Sequence, residues 1–291
     1  MKKGPENIPE LVAAGATYTD SSFTIPDALF WDGYETTTIE DAFDAGIADG
    51  TYTWDRWTSQ STTASNKLFY DTTNLYLDPN QGGAGTCYFI AAIGAAGEWP
   101  DMITDMFVSG TSDSAIGLYG IQFYIRGKPW VVTVDDKLLY KSGSLHYAYA
   151  SDNGSMWPPI LEKAWAKVKG TYGQINGGFV VSGLRSLTGA PTFTYTLSSY
   201  GLTTAETFSL LEAANNADYP MGAGTGSGSD TTFNDCGIAY GHAYSILTTF
   251  TMTSSGGTSY DMVMLRNPWG ITYYSGTWYK SDSNWDDTLV N

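Results

Sequence analysis

The strongest constraint on how this chain folds is a glycine-rich loop that runs directly into a small, apolar segment. Residues 81–85 read Gln-Gly-Gly-Ala-Gly, a composition that predicts a loop. Residues 87–96 read Cys-Tyr-Phe-Ile-Ala-Ala-Ile-Gly-Ala-Ala, in which Phe89 and Ile93 recur at helical spacing. We therefore expect a buried helix that begins at Cys87, where the loop ends.

The position of Cys87 suits a nucleophilic thiol. A cysteine reacts as its thiolate, and the unpaired N–H groups and the dipole at a helix N-terminus favour a negative charge there. The alternative is a buried structural cysteine, which is the commoner role of a free cysteine taken alone. A catalytic interpretation therefore needs a base elsewhere in the sequence.

The sequence has only two histidines that can act as this base. His242 begins a predicted strand, which would hold its ring rigidly, whereas His146 lies in a predicted loop and is interpreted as structural. Asn267 is held extended by the proline that follows it. It is a candidate to orient the second imidazole nitrogen, with an ordinary Asn-Pro turn as the alternative. His242 follows Cys87 by 155 residues and Asn267 follows His242 by 25, near the spacing of about 130–150 residues in papain-type enzymes.

Hydrophobic periodicity predicts an α+β fold, with a mainly helical N-terminal half and an antiparallel, β-rich C-terminal half. A glycine-rich stretch around 177–191 marks the predicted boundary. The predicted domains are an N-terminal arm at 1–17, a first lobe at 18–187 and a second lobe at 188–291. Besides the helix at Cys87, the predicted elements are a hairpin over 121–134, helices over 159–170 and 203–214, a loop over 221–230, and strands over 241–250, 259–266 and 271–280.

Net charge, apolar runs and cysteine count argue against several classes of function. The chain has 14 basic and 30 acidic residues and a net charge of −16, which disfavours binding to nucleic acids and to anionic membranes. No run of 18 apolar residues and no apolar segment behind the N-terminal lysines occurs, so we expect neither a transmembrane helix nor a signal peptide. Cys87 and Cys236 are too few for a disulfide scaffold and indicate two reduced thiols in a cytoplasmic protein, with a single bridge as the alternative. Asp135 and Asp136 are expected in an exposed acidic turn.

Several separate motifs resemble, in the correct order, the protease core of the calpain family. Residues 81–92 resemble its nucleophile motif, Q-G-x-L-G-D-C-W-x-x-A-A, while 241–245 and 265–270 resemble its histidine and asparagine motifs. Framework segments at 130–136, 161–167 and 30–33 resemble the family as well. The resemblance runs from about residue 18 to about residue 288 and does not include the family's penta-EF-hand and C2-like domains.

This resemblance implies a papain-like fold in which two lobes face each other across a cleft. Cys87 would lie on the first lobe, and His242 and Asn267 on the second. Gln81 would donate its side-chain amide to the oxyanion together with the backbone N–H of Cys87, and Trp269 would shield the His–Asn hydrogen bond from water. The implied chemistry is acyl transfer on protein substrates, which requires no cofactor. A regulatory protein or a larger assembly is a further expected partner.

The calcium sites of the family are less complete in this sequence. Asp78 matches one ligand of the first-lobe site, but Ser155 stands where a glutamate should lie. In the second lobe, Tyr273 and Lys280 occupy the carboxylate positions. Since a hard cation needs several oxygen ligands, mostly carboxylate, the sequence predicts no calcium in the second lobe and leaves binding in the first lobe to depend on Asp78.

Two hypotheses about function follow. The first is an intracellular calpain-like cysteine endopeptidase, and the second is a calpain-like structural or interaction module with little or no protease activity. The incomplete calcium sites motivate the second, as do Thr86 and Tyr88, which stand where the family has Asp and Trp. The first is favoured, because the set of four catalytic residues is intact and a scaffold has no need to keep it.

Overall fold

The structure is a computed structural model of the 291-residue chain and describes residues 7–25, 28–29, 37–60, 67–108, 115–149, 154–254 and 256–285. The segment 30–33, part of the family resemblance, lies outside the described residues. Among the described residues the helices are α1 (Ile8–Ala14), α2 (Thr37–Ala48), α3 (Trp57–Gln60), α4 (Cys87–Ala96), α5 (Pro100–Thr104), α6 (Trp157–Lys169), α7 (Val180–Thr188), α8 (Leu197–Tyr200) and α9 (Thr204–Asn215). The strands are β1 (Tyr52–Arg56), β2 (Leu118–Ile125), β3 (Lys128–Asp135), β4 (Lys137–Lys141), β5 (Ser144–Leu145), β6 (Met221–Gly224), β7 (Ala243–Thr253) and β8 (Ser259–Arg266).

Helix α4 lies at the centre of the fold because it is apolar on every face. Residues 88–96 are all buried, and the helix packs against α7 and β7. Its small residues permit this close approach, since a Cβ added at Gly94 would lie 2.6 Å from Oγ of Ser245 in β7. Cys87, at the first helical position, is partly exposed. The predicted buried helix is therefore confirmed, and its first residue is the one that reaches the surface.

Two small antiparallel sheets accompany α4 in the N-terminal part of the chain. β2 and β3 form the predicted hairpin, whose turn places Arg126 and Gly127 at positive φ. β4 lies between β1 and β5 in the second sheet. The part predicted to be mainly helical therefore also contains two sheets, of which the sequence indicated only the β2–β3 hairpin. β1 and β4 are distant in sequence, and neither shows the alternating burial that makes a strand recognisable.

The acidic pair after the hairpin is buried rather than exposed. Nζ of Lys163, in α6, lies 2.5 Å from a carboxylate oxygen of Asp135, and the two side chains are 0% and 1% exposed. Asp136 is 2% exposed and forms an ion pair with Arg56. The prediction of an exposed acidic turn was wrong because the neutralising cations come from distant parts of the sequence, and burial of a charge requires such a partner.

The C-terminal part contains one antiparallel sheet with the order β6-β7-β8. The strands predicted over 241–250 and 259–266 are confirmed as β7 and β8, and helix α9 begins with the predicted capping box of Thr203 and Glu206. The predicted loop over 221–230 instead begins with β6, which pairs with β7. β6 reads Met-Gly-Ala-Gly, so it has no hydrophobic alternation that predicts a strand.

The strand predicted over 271–280 is not formed. This segment consists of turns and irregular backbone, although its tyrosines and threonines favour a strand. It is held by other contacts, among them the bond from the N–H of Ser275 to the carbonyl of Cys236 at 2.9 Å. A strand needs a neighbouring strand to pair with, and among the described residues no strand pairs with this segment.

Helix α7 occupies the stretch predicted to hold the domain boundary, and it ends at Gly189 in the left-handed conformation. The division into 1–17, 18–187 and 188–291 remains a prediction, although α1, within the predicted arm, has no buried residue. The described helices and antiparallel sheets confirm the α+β class. In the described ranges, no helix combines the length and the apolar character needed to cross a bilayer.

Candidate active site

The loop before α4 is held tightly against two other segments. The N–H of Gln81 donates to the carbonyl of Pro268 at 2.8 Å, and the N–H of Gly83 donates to the carbonyl of His146 at 2.7 Å. A Cβ added at Gly82 would lie 1.9 Å from the carbonyl oxygen of Tyr147, so this position accepts only glycine. The glycines of the motif therefore allow the loop to lie directly on neighbouring backbone.

Cys87 follows this loop at the first position of α4. Burial raises the pKa of the Cys87 thiol, while the backbone N–H groups of Ala243 and Tyr88 act in the opposite direction. Desolvation therefore opposes the negative charge that the helix N-terminus favours. A neighbouring base that accepts the thiol proton is needed.

His242 is positioned by the hairpin that contains β7 and β8. Its Nε2 lies 2.9 Å from Oδ1 of Asn267. The N–H of Trp269 donates to the same oxygen at 3.1 Å, which supports the assignment of that atom as oxygen rather than nitrogen. Since an amide oxygen only accepts, Nε2 of His242 carries the proton and Nδ1 is the basic nitrogen.

The basic nitrogen of His242 is available for chemistry. Nδ1 is buried and has no hydrogen-bond partner within the described part of the chain. The backbone N–H of the next residue, Ala243, is near enough to the Cys87 sulfur to act against the rise in its pKa. The start of β7 therefore lies near the start of α4, but among the described residues the Cys87 thiol makes no hydrogen bond to Nδ1.

The surroundings of His242 favour the neutral form of the ring. Its side chain is 3% exposed, and Trp269 stacks on it with ring centroids 4.1 Å apart. Burial lowers the pKa of His242, whereas the Asn267 bond and the negative charge of Asp230 raise it. Asp230 also raises the pKa of Cys87, so this partly exposed carboxylate lies near both residues.

Gln81 lies at the start of the loop with its side chain buried. Its Nε2 donates one hydrogen to the carbonyl of Ala84 at 2.8 Å, and its Oε1 is buried without a partner among the described residues. An amide nitrogen carries two hydrogens, so one remains to be donated elsewhere. The side chain of Gln81 is thus held in place, and the second hydrogen on its Nε2 can be donated to another acceptor.

Glu162 is a residue of the site region that sequence reasoning overlooked. Its carboxylate accepts from the Thr86 hydroxyl at 2.5 Å and from the N–H of Ala148 at 2.7 Å. It is fully buried, and burial raises its pKa to about 7. Because Thr86 uses its hydroxyl here, it makes no side-chain cap for α4. The sequence signal that could have identified it was a charged glutamate next to the apolar stripe of α6.

The second departure from the family motif is also accommodated by packing. The hydroxyl of Tyr88 accepts a hydrogen bond from the indole N–H of Trp165 at 3.0 Å, and Tyr88 is buried. Thr86 and Tyr88 therefore turn away from the exposed side of Cys87 and toward α6. Both replacements are therefore accommodated by contacts with α6.

The residues matched to the family's calcium sites make other contacts or are exposed. Asp78 is 1% exposed, and its carboxylate accepts a hydrogen bond from the indole of Trp157 at 2.7 Å. Tyr273 packs its ring against Phe233 at 5.0 Å, and Lys280 is exposed. In the described ranges no group of three or more His, Cys, Asp or Glu side chains is arranged to hold a metal. Calcium needs several oxygen ligands, mostly from carboxylates.

The other histidine and the other cysteine make different contacts. The ring of His146 packs against Tyr52 and Phe43, with centroids 5.3 and 5.7 Å away, and both its ring and its backbone carbonyl lie against Gly83 of the loop. Cys236 is exposed, and both cysteines are free thiols, so the alternative of a disulfide between them is not realised.

Comparison with known proteins gives the same family that the motifs indicate. Residues 35–290 match the family model described as calpain family cysteine protease. The chain is 32% identical to Calpain-12 of Mus musculus over 212 residues, which is 72% of this chain. It is 31% identical to Calpain-14 of Homo sapiens over 235 residues, 79% of this chain. It is 26% identical to the Calpain-2 catalytic subunit of Bos taurus over 284 residues, 95% of this chain. The matches cover 29%, 33% and 38% of those relatives' own lengths, so the chain spans about a third of the proteins it resembles.

Proposed function

The chain belongs to the calpain family of cysteine proteases, and we propose that it is an active cysteine endopeptidase with Cys87, His242 and Asn267 as its catalytic residues. One observation carries the proposal. A single ring nitrogen of His242 is bonded to Asn267, while the other is buried and unpaired among the described residues, and the N–H of the next residue, Ala243, acts to lower the pKa of Cys87.

The proposed architecture is a papain-like cleft between two lobes, 18–187 and 188–291. Helix α4 would supply the nucleophile from the first lobe. The sheet β6-β7-β8 would supply the base and the residue that orients it from the second. Contacts between β7 and α4 support this arrangement, including the bond from Oγ of Ser245 to the carbonyl of Ala91 at 2.8 Å.

In the proposed mechanism, Nδ1 of His242 accepts the proton from Sγ of Cys87. The resulting thiolate attacks the carbonyl carbon of the substrate peptide bond and forms a tetrahedral oxyanion. His242 then gives its proton to the leaving amine as the C–N bond breaks, which leaves a thioester on Cys87. Water attacks the thioester with His242 as the base, and the free thiol returns as the C–S bond breaks.

The oxyanion requires donors that are already in place. The second hydrogen on Nε2 of Gln81 is one, since that side chain is buried and fixed by its bond to Ala84. The N–H of Cys87 is the other, because the first N–H groups of a helix have no acceptor within it. Loss of one such donor costs about 10²–10³-fold in kcat in related chemistry.

The proposed substrates are proteins inside the cell. Both cysteines are free, which supports a reducing, cytoplasmic location as part of the proposal. The chemistry needs no cofactor. A regulatory protein or larger assembly remains a proposed partner, since the chain spans only about a third of its curated relatives.

Hydrolysis of an unfolded protein and of fluorogenic peptides tests the proposal. We expect the purified chain to hydrolyse them, Cys87→Ser to lower kcat/KM by at least about 10³-fold, and Cys236→Ser to leave it unchanged. Mass spectrometry after an acid quench should find the acyl group on the peptide that contains Cys87. Hydrolysis no faster than that of Cys87→Ser, with no acyl group on Cys87, would instead support the structural or interaction module.

A further inference from the structure

One side chain joins the strand that carries Asn267 to the segment that leads into the nucleophile loop. Nη2 of Arg266, the last residue of β8, donates to the carbonyl of Leu77 at 2.9 Å and to Oδ1 of Asn80 at 3.1 Å. Arg266 directly precedes Asn267, and Asn80 directly precedes Gln81. The guanidinium therefore lies between the two segments that meet at the site.

Further contacts beside this guanidinium hold the same two segments together. The carbonyl of Pro268 accepts from the N–H of Gln81 at 2.8 Å. A Cβ added at Gly270 would lie 2.3 Å from Oδ1 of Asn80, so the turn after Asn267 packs directly on the side chain that Arg266 binds. The hydrogen bonds of Arg266 therefore join residues 77–80 to the end of β8. A shift of one segment relative to the other would move Asn267.

The charges at this place favour the guanidinium of Arg266 rather than a bound metal ion. Partial burial lowers the pKa of Arg266 to about 10, while the negative charge of Asp78 acts to raise it, so the side chain is charged at neutral pH. Asp78 itself accepts from the Trp157 indole. The carboxylate that the family resemblance assigns to calcium therefore already has a hydrogen-bond donor and a neighbouring positive charge.

We propose that Arg266 is a positioning residue: its guanidinium holds the Asn267 end of β8 against residues 77–80, and so keeps His242 aligned with Cys87 without calcium. This inference rests on the proposed endopeptidase function. A guanidinium suits the role because its planar donors fix direction as well as distance, whereas an ammonium group acts as a point charge on a flexible stem.

The kinetic test compares Arg266→Ala and Arg266→Lys with Arg185→Ala; the guanidinium of Arg185 donates to the hydroxyl of Thr192, and its side chain is exposed. We expect Arg266→Ala to lower kcat by about 10–100-fold, because misplacement of about 1 Å has that effect, with KM within about threefold. Arg266→Lys should recover part of the loss, and Arg185→Ala should match the unaltered chain. The unaltered chain should hydrolyse peptides at the same rate with excess calcium and with a chelator.

A second readout does not require catalysis. The Nε2 proton of His242, which the Asn267 bond protects, should give an NMR signal that exchanges slowly with water in the unaltered chain and in Arg185→Ala. The exchange should be faster in Arg266→Ala and intermediate in Arg266→Lys. If Arg266→Ala does not fold, as judged by circular dichroism, the lysine variant gives the comparison.

The outcomes separate this inference from the proposed function. Wild-type kcat and a protected His242 proton in both folded Arg266 variants would overturn the role of Arg266. An increase of tenfold or more in the rate of the unaltered chain on addition of calcium would overturn the calcium-independent alignment. A protected proton that Arg266→Ala loses, in a chain that hydrolyses nothing, would overturn the endopeptidase function and leave the positioning role standing.

Discussion

Nε2 of His242 lies 2.9 Å from Oδ1 of Asn267, and the β7–β8 hairpin brings these two residues together. His242 directly precedes β7 and Asn267 directly follows β8. In the antiparallel register Ser245 faces Arg266, so the start of one strand lies beside the end of the other. The hydrogen bond is therefore a consequence of strand pairing, and it leaves Nδ1 as the basic nitrogen.

Replacement of Asn267 should reduce catalysis more than binding. In Asn267→Ala the ring of His242 loses the acceptor that fixes its tautomer and direction. We expect kcat/KM for peptide hydrolysis to fall by about 100-fold, mostly through kcat. Asn284→Ala, which alters an exposed asparagine, is the matched control. Equal kinetics in the two variants would contradict the role assigned to Asn267.

Removal of the stacked indole should raise the pKa of His242. Burial is the main cause that lowers this pKa, and Trp269 covers the ring at 4.1 Å. In Trp269→Ala we expect the pKa to move up toward the ordinary value of 6.5, because water reaches the imidazolium. NMR titration of the ring in a Cys87→Ala background measures this without coupling to the thiol.

The control for this titration is a tryptophan in another aromatic cluster. Trp278 packs against Tyr260 and Trp285, with centroids 5.1 and 5.0 Å away. Trp278→Ala should leave the pKa of His242 unchanged. A downward shift in Trp269→Ala, or the same shift in both variants, would show that the indole does not desolvate the ring.

Glu162 should make stability fall as the pH rises. Burial raises its pKa from 4.5 to about 7 in the folded chain. Below pH 4.5 the carboxyl is protonated in both the folded and the unfolded state. Between pH 4.5 and pH 7 the unfolded state ionises first, so the folded state loses about 3 kcal/mol of relative stability.

Chemical denaturation across that pH window tests the sign. Glutamine cannot ionise, so the free energy of unfolding of Glu162→Gln should lack this decrease. The difference between the two proteins should change by about 3 kcal/mol from pH 4.5 to pH 7.5. Parallel curves, or a difference of the opposite sign, would mean that Glu162 is ionised throughout this range in the folded chain.

The loop glycine that contacts backbone should tolerate no side chain. A Cβ at Gly82 would lie 1.9 Å from the carbonyl oxygen of Tyr147, so Gly82→Ala must displace the loop that carries Gln81. We expect the free energy of unfolding to fall by about 1–3 kcal/mol and kcat to fall with it. Gly256→Ala, whose Cβ would lie 3.8 Å from Oγ of Ser254, should change neither quantity.

Local signals in the sequence predicted the elements that carry the site. The helical spacing after Cys87, the hairpin over 121–134 and the capping box at Thr203 are properties of adjacent residues, and all three are present. The candidate triad was recognised from residue types and chain order. The His242–Asn267 bond agrees with that hypothesis.

Features that depend on distant partners could not be predicted in this way. The carboxylate of Glu162 meets Thr86, 76 residues away, and Arg266 meets Leu77, 189 residues away. No periodicity encodes such pairs. The segment 271–280 has strand-forming residues but no strand beside it, so propensity alone gave the wrong prediction.

The rate at which a small alkylating reagent modifies Cys87, relative to Cys236, tests the central claim most directly. Cys236 is exposed, so it reports the reactivity of an ordinary thiol. If His242 activates Cys87, iodoacetamide at pH 7 should label Cys87 at least about tenfold faster than Cys236. His242→Ala should remove that advantage and leave Cys236 unaffected. Slow labelling of Cys87 that His242→Ala does not change would contradict a Cys87–His242 catalytic pair.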